Sequence, residues 1–547
     1  MAFESLNDSV ECTILAEYAD IHVSDLVNKN LFTGGIKIMV KRLIPLLWFV
    51  LVISLTLTNV SAQRYTPNVE PMDCAMWALP EGVSAECGRL VVPEDRSQPE
   101  GNQVHIPYAI IESPNPDLAA EPLLFYSSNG FSGDPVLGGL AGQAIDDFYG
   151  QLDRTLILTS QRGLAGGEPN FYCQEIVDAE FAHLEENVSD EERFLRNMEA
   201  IDNCIQQLTA QGVNLLTYRT STFAADVEDL RIALGYDHWN LYGSSYGAIV
   251  VQTYVKNYED HVVSVILDSP VSTLDKNPTT DPRAGESSLN YLLERCAQNE
   301  ACHEAYPDLE QLIYETMDEL RENPVAIESV DLATGAPVAV LMDDYVLSWM
   351  VAHMLTIRGD DFVPYVFYQL HEGNYDAAFT YFSPTISAFL AQAYTPALGV
   401  TVVCNDYVLP MTPEEIASAD ARIDEFVFAP LYRVHPFLFG SGYLYEYCQR
   451  WLPDWQPATA EEIAPVVSDV PALVYVGWAD SILLVDDMRA VADRFSNSFL
   501  VEFPFSGHEL QLQSECADTI GNAFLEDPMT PPDTSCIEQS LNFVLPE

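Results

Sequence analysis

Gly243-Ser244-Ser245-Tyr246-Gly247 follows a short aromatic and apolar run, Trp239-Asn-Leu-Tyr242, and precedes a stretch with helical spacing, Ala248 to Tyr258, and a second strand-like run, Val262 to Leu267. The predicted order is strand, tight turn, helix, strand. A serine at such a turn is forced into a strained backbone conformation, and glycines on either side spare the neighbouring strand and helix a collision with a side chain. Its hydroxyl is then presented beyond the strand's carboxyl end, where a nucleophile would stand. Five-residue matches of this kind also arise by chance, so the assignment depends on partners elsewhere in the chain.

A nucleophilic serine needs a base, and the base needs a carboxylate that holds its tautomer and stabilises its cation. Pro471-Ala-Leu-Val-Tyr-Val-Gly477 reads as a buried strand running into Trp478-Ala479-Asp480, and Ser498-Phe-Leu-Val-Glu-Phe503 as another running into Pro504-Phe-Ser-Gly-His508. Both Asp480 and His508 follow the carboxyl ends of strands, where parallel sheets build their sites. An aspartate after a strand is more often a turn residue or helix cap. Chain order and joint placement nevertheless select Asp480 and His508 from the many acids and ten histidines. Asp268, ending the strand after the nucleophile helix, is the second choice for the acid. An oxyanion would be held by the N–H of Tyr246 and by an amide near Gly130 or Phe131. Those two lie in Ser127-Ser-Asn-Gly-Phe-Ser-Gly133, a loop of small residues after the strand Leu123-Leu-Phe-Tyr126.

From Cys74 to the C-terminus the chain resembles the prolyl iminopeptidase and tripeptidyl aminopeptidase family of secreted α/β-hydrolases. Cys87-Gly-Arg-Leu-Val-Val-Pro-Glu94 is similar to an early strand of that family, and Ser160-Gln-Arg-Gly163 stands where the family has Asp-Gln-Arg-Gly. Cys516-Ala-Asp, Ala523-Phe-Leu-Glu-Asp-Pro528 and Pro531-Pro-Asp-Thr-Ser-Cys536 resemble the C-terminal signature of the tripeptidyl aminopeptidase branch. Ser160 in place of the aspartate, and Ser-Asn-Gly-Phe-Ser in place of a His-Gly-Gly-Pro-Gly type of loop, are departures that bear on substrate and rate. The resemblance implies an α/β-hydrolase fold, with a mostly parallel sheet, helices on both faces and a large helical cap. It implies a secreted serine exopeptidase, releasing residues or tripeptides from peptide N-termini through an acyl-enzyme, with no cofactor or metal. Ser245 would attack, His508 would carry the proton and Asp480 would orient His508. A carboxylesterase acting on small or lipid-like esters would use the same three residues, whereas a non-catalytic binding protein on this scaffold would usually have lost one of them.

An aminopeptidase also needs a carboxylate for the substrate's free α-ammonium, because an unpaired cation in a partly desolvated pocket costs several kcal/mol. Asp406, in Val403-Cys404-Asn405-Asp406, is the first candidate, since the family has a similar Cys-x-acid element after its cap helices. Glu286 and Glu294, on a predicted cap helix, are second choices. Most acids of so acidic a chain are solvated surface charges.

A chain of 547 residues, 48% hydrophobic, is too long for one minimal domain. Residues 1–62 read as an N-terminal extension plus signal peptide, 63–271 as the first part of the hydrolase core, 272–465 as a helical cap and 466–547 as the second part of the core. Lys41-Arg42, the apolar run Leu43 to Leu57 and the small-residue site Val60-Ser61-Ala62 occur in signal-peptide order, so the mature chain would start at Gln63. A start at Met39 would give a signal of ordinary length. The run is short for a membrane span and interrupted by Pro45. The protein would then be secreted or periplasmic without stable membrane association; anchoring through residues 43–57 is the alternative. Ten of the eleven cysteines follow: Cys74, Cys87, Cys173, Cys204, Cys296, Cys302, Cys404, Cys448, Cys516 and Cys536. An even set in an exported chain suggests disulfides, and pairing in sequence order is simplest and is like that of the family. There is no Cys-x-x-Cys or His-Glu-x-x-His spacing for zinc. A formal net charge of −58 disfavours nucleic acid and anionic membranes as partners, and the resemblance implies a peptide substrate. Oligomeric state has no signature in the sequence.

Overall fold

The structure is a computed structural model that describes residues 65–77, 79–113, 121–127, 154–164, 166–271, 283–330, 337–356, 361–376, 396–420, 426–434, 442–538 and 542–546. The central sheet has nine strands: β1 (Asn68–Pro71), β2 (Ala85–Pro93), β3 (Gln103–Ile111), β4 (Leu123–Ser127), β5 (Leu156–Thr159), β6 (Trp239–Ser244), β7 (Val262–Asp268), β10 (Ala472–Gly477) and β11 (Ser498–Phe503). Their spatial order is β1-β2-β3-β5-β4-β6-β7-β10-β11. The β1–β2, β2–β3 and β3–β5 pairs are antiparallel, and every pair from β5–β4 to β10–β11 is parallel. The parallel strands read as continuous apolar runs because both faces are covered. Along β4, Leu124 and Tyr126 enter one apolar layer while Leu123 and Phe125 enter the other; along β10, Val474 and Val476 oppose Leu473 and Tyr475 in the same way. The first layer takes helices α3 (Thr220–Leu234) and α4 (Tyr246–Tyr258), and the second takes α10 (Glu515–Glu526) through Ala517, Ile520 and Phe524. This is the α/β-hydrolase arrangement implied by the resemblance.

Between β7 and β10 the chain forms helices that include α5 (Arg283–Gln298), α6 (Leu309–Glu322), α7 (Asp344–Thr356), α8 (Pro396–Val403) and α9 (Gly442–Trp451). It also forms an antiparallel pair, β8 (Val325–Val330) with β9 (Pro337–Met342), which the helical reading of this region did not predict. Packing divides the region differently from its sequence. Leu292, Ile313, Met317, Leu347, Met350 and Phe367 share a core of their own, whereas Leu398, Val400, Cys404, Leu444 and Cys448 join the apolar layer of the main sheet. Two helices before α3, α1 (Gln174–Glu185) and α2 (Asp190–Ala210), bridge the two cores: Leu184 belongs to the first, Met198 and Ile201 to the second.

Five disulfides join Cys74–Cys87, Cys173–Cys204, Cys296–Cys302, Cys404–Cys448 and Cys516–Cys536. The Cys404–Cys448 bridge spans 44 residues, the longest separation of the five. In the chain-entropy picture it is therefore the most stabilising, at about 4 kcal/mol. Among the described residues no helix is long and apolar enough to cross a membrane. The run Leu43 to Leu57 lies outside them.

The carboxyl ends of β10 and β11 meet through bare backbone. A Cβ on Gly477 would lie 1.9 Å from the carbonyl oxygen of Gly507 and 2.6 Å from that of Ser506. Neither obstacle is a side chain that could swing away. Gly477→Ala is therefore expected to destabilise the fold by about 3 kcal/mol, read as a lowered denaturation midpoint with an unchanged denaturant slope.

Candidate active site

All six residues of β6 are buried, and the strand delivers Ser245 into a turn with φ 51° and ψ −123°. Such a backbone conformation persists only where its surroundings over-determine it, and here they do. The Ser245 N–H donates to the carbonyl of Asp268 at 2.9 Å, one residue past the β6–β7 ladder, and the Ser245 carbonyl accepts the Ala248 N–H at 3.1 Å to begin α4. A Cβ on Gly243 would fall 2.8 Å from the Gly247 carbonyl oxygen and 2.7 Å from Val251. Tyr246 is the first residue of α4, a position whose N–H has no partner within a helix and so suits an oxyanion. Gly130 and Phe131 lie outside the described residues.

Asp480 stands three residues past β10. Its Oδ1 accepts the N–H groups of Ile482 and Leu483, both at 2.8 Å, and its Oδ2 lies 2.7 Å from His508 Nδ1. Both side chains are almost wholly buried, and His508 Nε2, the nitrogen left to face a nucleophile, has no hydrogen-bond partner among the described residues. The two loops are laced together: the Trp478 N–H donates to Phe503 O and the Ala479 N–H to Ser506 O, both at 3.1 Å. The Asp268 carboxylate does not take the histidine. It accepts the Tyr242 hydroxyl and the N–H groups of Leu510 and Gln511, each at 2.9 Å.

Helices of the β7–β10 region grip these loops. Ser288 on α5 donates to Ala479 O at 2.7 Å, and the last carbonyl of α7, on Thr356, accepts the His508 N–H at 2.9 Å. Thr356 Oγ1 and Ser481 Oγ are 2.8 Å apart.

The three candidate acids for an α-ammonium sit in different surroundings. Asp406 is buried, its Oδ2 accepts the N–H and hydroxyl of Thr220 at 2.8 and 2.7 Å, and its Oδ1 lies 3.7 Å from Arg219. It thus caps the first turn of α3 from outside. Burial raises its pKa, against the opposing Arg219 charge and Thr220 bonds. Thr220 Oγ1 also meets the Tyr246 hydroxyl at 2.7 Å, so Asp406 supports the residue after Ser245 indirectly. Glu294 is an exposed surface charge bonded to Gln298. Glu286 is half-buried and faces the Val427 N–H at 3.5 Å. It lies about 200° around the helix from Ser288, away from the face that meets Ala479. Glu509, beside His508, escaped the sequence reading; it has a positive φ of 62° and accepts the Ser244 hydroxyl at 3.0 Å. Only its adjacency to His508 could have pointed to it. Arg162, of the Ser160-Gln-Arg-Gly163 segment, is wholly buried and forks onto Asp226 at 2.6 and 2.7 Å, an interior support for the sheet.

Residues 189–298, which contain the Ser245 turn, match the family described as alpha/beta hydrolase fold, and residues 435–536, which contain Asp480 and His508, match the family described as TAP-like protein. A serine protease named Hip1 from Mycobacterium tuberculosis is 25% identical over 233 residues, covering 40% of this chain and 42% of that protein. A tripeptidyl aminopeptidase from Streptomyces coelicolor is 26% identical over 229 residues, covering 40% of each. The chain thus spans about two-fifths of the length of the curated relatives it matches. A solved proline iminopeptidase from Mycobacterium smegmatis aligns with a TM-score of 0.32 at 12% identity, over 81% of this chain and 98% of that one. The strand order around a strained serine turn gives this chain the α/β-hydrolase fold, and the segments on either side of the β7–β10 region are similar to the alpha/beta hydrolase and TAP-like families.

Proposed function

We propose that the protein is a secreted serine exopeptidase that removes residues or short peptides from the N-terminal end of a peptide. The observation that carries the reading is the buried Asp480–His508 pair, hydrogen-bonded at 2.7 Å, at the same edge of the sheet as the strained Ser245 turn. In this reading Ser245 Oγ attacks the scissile carbonyl while His508 Nε2 takes its proton. Asp480 holds Nδ1–H and stabilises the imidazolium, and the Tyr246 N–H supports the oxyanion. His508 then returns the proton to the leaving amine, and water releases the acyl group by the same path. The peptide preference rests on the TAP-like match around Asp480 and His508 and on the relatives named serine protease and tripeptidyl aminopeptidase. Export is supported by the signal-like order before Gln63 and by the five disulfides, which persist in oxidising compartments.

A fluorophosphonate probe is expected to label Ser245, and Ser245→Ala to abolish both labelling and turnover with the fold intact. Chromogenic aminoacyl, prolyl and tripeptidyl amides should be cleaved with a free N-terminus and spared when N-acetylated. Equal cleavage of the two forms, or much faster cleavage of p-nitrophenyl esters than of any amide, would favour an esterase. Asp480→Asn should lower kcat by about 10,000-fold, as loss of the orienting carboxylate does in such triads.

The pH dependence follows from the surroundings of His508. Burial alone would lower its pKa, but the Asp480 charge and hydrogen bond, helped by Glu509 and Asp268, outweigh burial and raise it to about 9. An imidazolium cannot accept the serine proton, so kcat/KM in the free enzyme should fall as pH drops through about 9. Stability has the opposite sign. A folded-state pKa above the ordinary value favours folding fully below that ordinary value, and the contribution is lost as pH rises through about 9. A kcat/KM profile with its acid limb at the ordinary imidazole position would contradict this account.

A further inference from the structure

Behind the serine and the histidine lies a buried carboxylate that the proposed chemistry leaves unused. Asp268 ends β7 with no exposed surface. Its backbone carbonyl accepts the Ser245 N–H at 2.9 Å. Its carboxylate accepts four donors: the Leu510 N–H at 2.9 Å and the Ser269 hydroxyl at 3.1 Å on Oδ1, and the Gln511 N–H and the Tyr242 hydroxyl, both at 2.9 Å, on Oδ2. The Ser269 hydroxyl in turn accepts the Glu509 N–H at 2.8 Å. The three residues that follow His508 therefore all direct their N–H groups onto the pair 268–269, and the positive φ of Glu509 turns the chain so that they can.

We propose that Asp268 is a positioning residue that holds the Ser245 turn through its backbone and the chain behind His508 through its carboxylate, keeping Nε2 in register with the serine oxygen. The inference rests on the serine-hydrolase reading above. The chemistry of the group supports it. A buried carboxylate is tolerated only when hydrogen-bonded, and two oxygens carry enough lone pairs for four donors. An asparagine of the same shape has one acceptor oxygen, and its NH2 group would confront an N–H of Leu510 or Gln511. The register between β7 and the histidine loop would then relax. Nucleophile and base must meet within hydrogen-bond reach, and a shift of about 1 Å there costs roughly 100-fold in rate. His508 Nδ1 is already taken by Asp480, so Asp268 acts through the loop and not as the histidine's acid.

The test needs no knowledge of the substrate. The rate at which a fluorophosphonate inactivates the wild type, Asp268→Asn and Ser269→Ala is measured across pH, beside each protein's melting temperature. Asp268→Asn, still folded at the assay temperature, should react roughly 100-fold more slowly. Its acid limb should move to lower pH, because one negative charge near the imidazole is gone. Ser269→Ala, which cuts the link to Glu509 and removes one of the four donors to Asp268, should show a smaller loss in the same direction. A folded Asp268→Asn that reacts at the wild-type rate with an unmoved acid limb, whatever its melting temperature, overturns the inference and leaves the hydrolase reading standing. If Asp268→Asn does not fold, Ser269→Ala decides, and a wild-type rate in it overturns the inference. A wild type not labelled at Ser245 overturns the hydrolase reading and the inference with it.

Discussion

The contact on which the site depends is between backbones and involves no catalytic side chain. Asp480 and His508 are carried on loops leaving two neighbouring strands, and those loops approach so closely that a Cβ on Gly477 would sit 1.9 Å from the Gly507 carbonyl oxygen. Gly507 is under the same constraint from the other side, since a Cβ there would meet the carbonyls of Leu355 and Thr356 at 2.4 and 2.5 Å. Two glycines thus let β10, the histidine loop and the end of α7 stack without side chains between them. The Asp480–His508 bond, at 2.7 Å, forms within that stack. A side chain at Gly477 would push against the histidine loop, and one at Gly507 against the end of α7.

The β7–β10 region is consequently part of the site's scaffold. α7 ends on the His508 N–H and Ser481, α5 reaches Ala479 through Ser288, and the turn after α8 supplies Asp406 to the head of α3. Three of these contacts satisfy a backbone group at a helix end or loop, and the Thr356–Ser481 contact joins two hydroxyls. The region's two cores explain how it holds these positions. One is built from the region's own helices and the β8–β9 pair together with Leu184 of α1, and the other is continuous with the sheet and fastened by Cys404–Cys448.

Electrostatics around the histidine run with the rest of the chain. Asp480, Glu509 and Asp268 all favour the imidazolium, so the histidine is held by acids on several sides. Neutralising donors, rather than cations, offset this concentration of carboxylate: backbone N–H groups on Asp480 and Asp268, and hydroxyls on Asp268 and Glu509. In a chain with 82 acids and 24 lysines and arginines, backbone amides are a supply of positive charge that composition does not limit.

By itself, the sequence determined the sheet and the three residues placed at its edge. Apolar runs long enough for strands are local signals, and Ser245, Asp480 and His508 each stand within five residues of the end of one. The cysteines likewise announce themselves by number and order. Other features depend on which distant segments meet. Val325–Val330 pairs with Pro337–Met342 inside a stretch otherwise read as helical. Asp406 reads locally as an acid beside a disulfide and becomes a helix cap because Thr220, 186 residues away in sequence, arrives with an unsatisfied N–H. Asp268 and Asp480 are both aspartates at strand ends, and nothing in their local sequence decides which meets the histidine. The crossing of the loops decided it: the His508 ring turns to Asp480, 28 residues away, and the three N–H groups behind it turn to Asp268 and Ser269, at least 240 residues away, because such bonds form only once the sheet has brought the segments together.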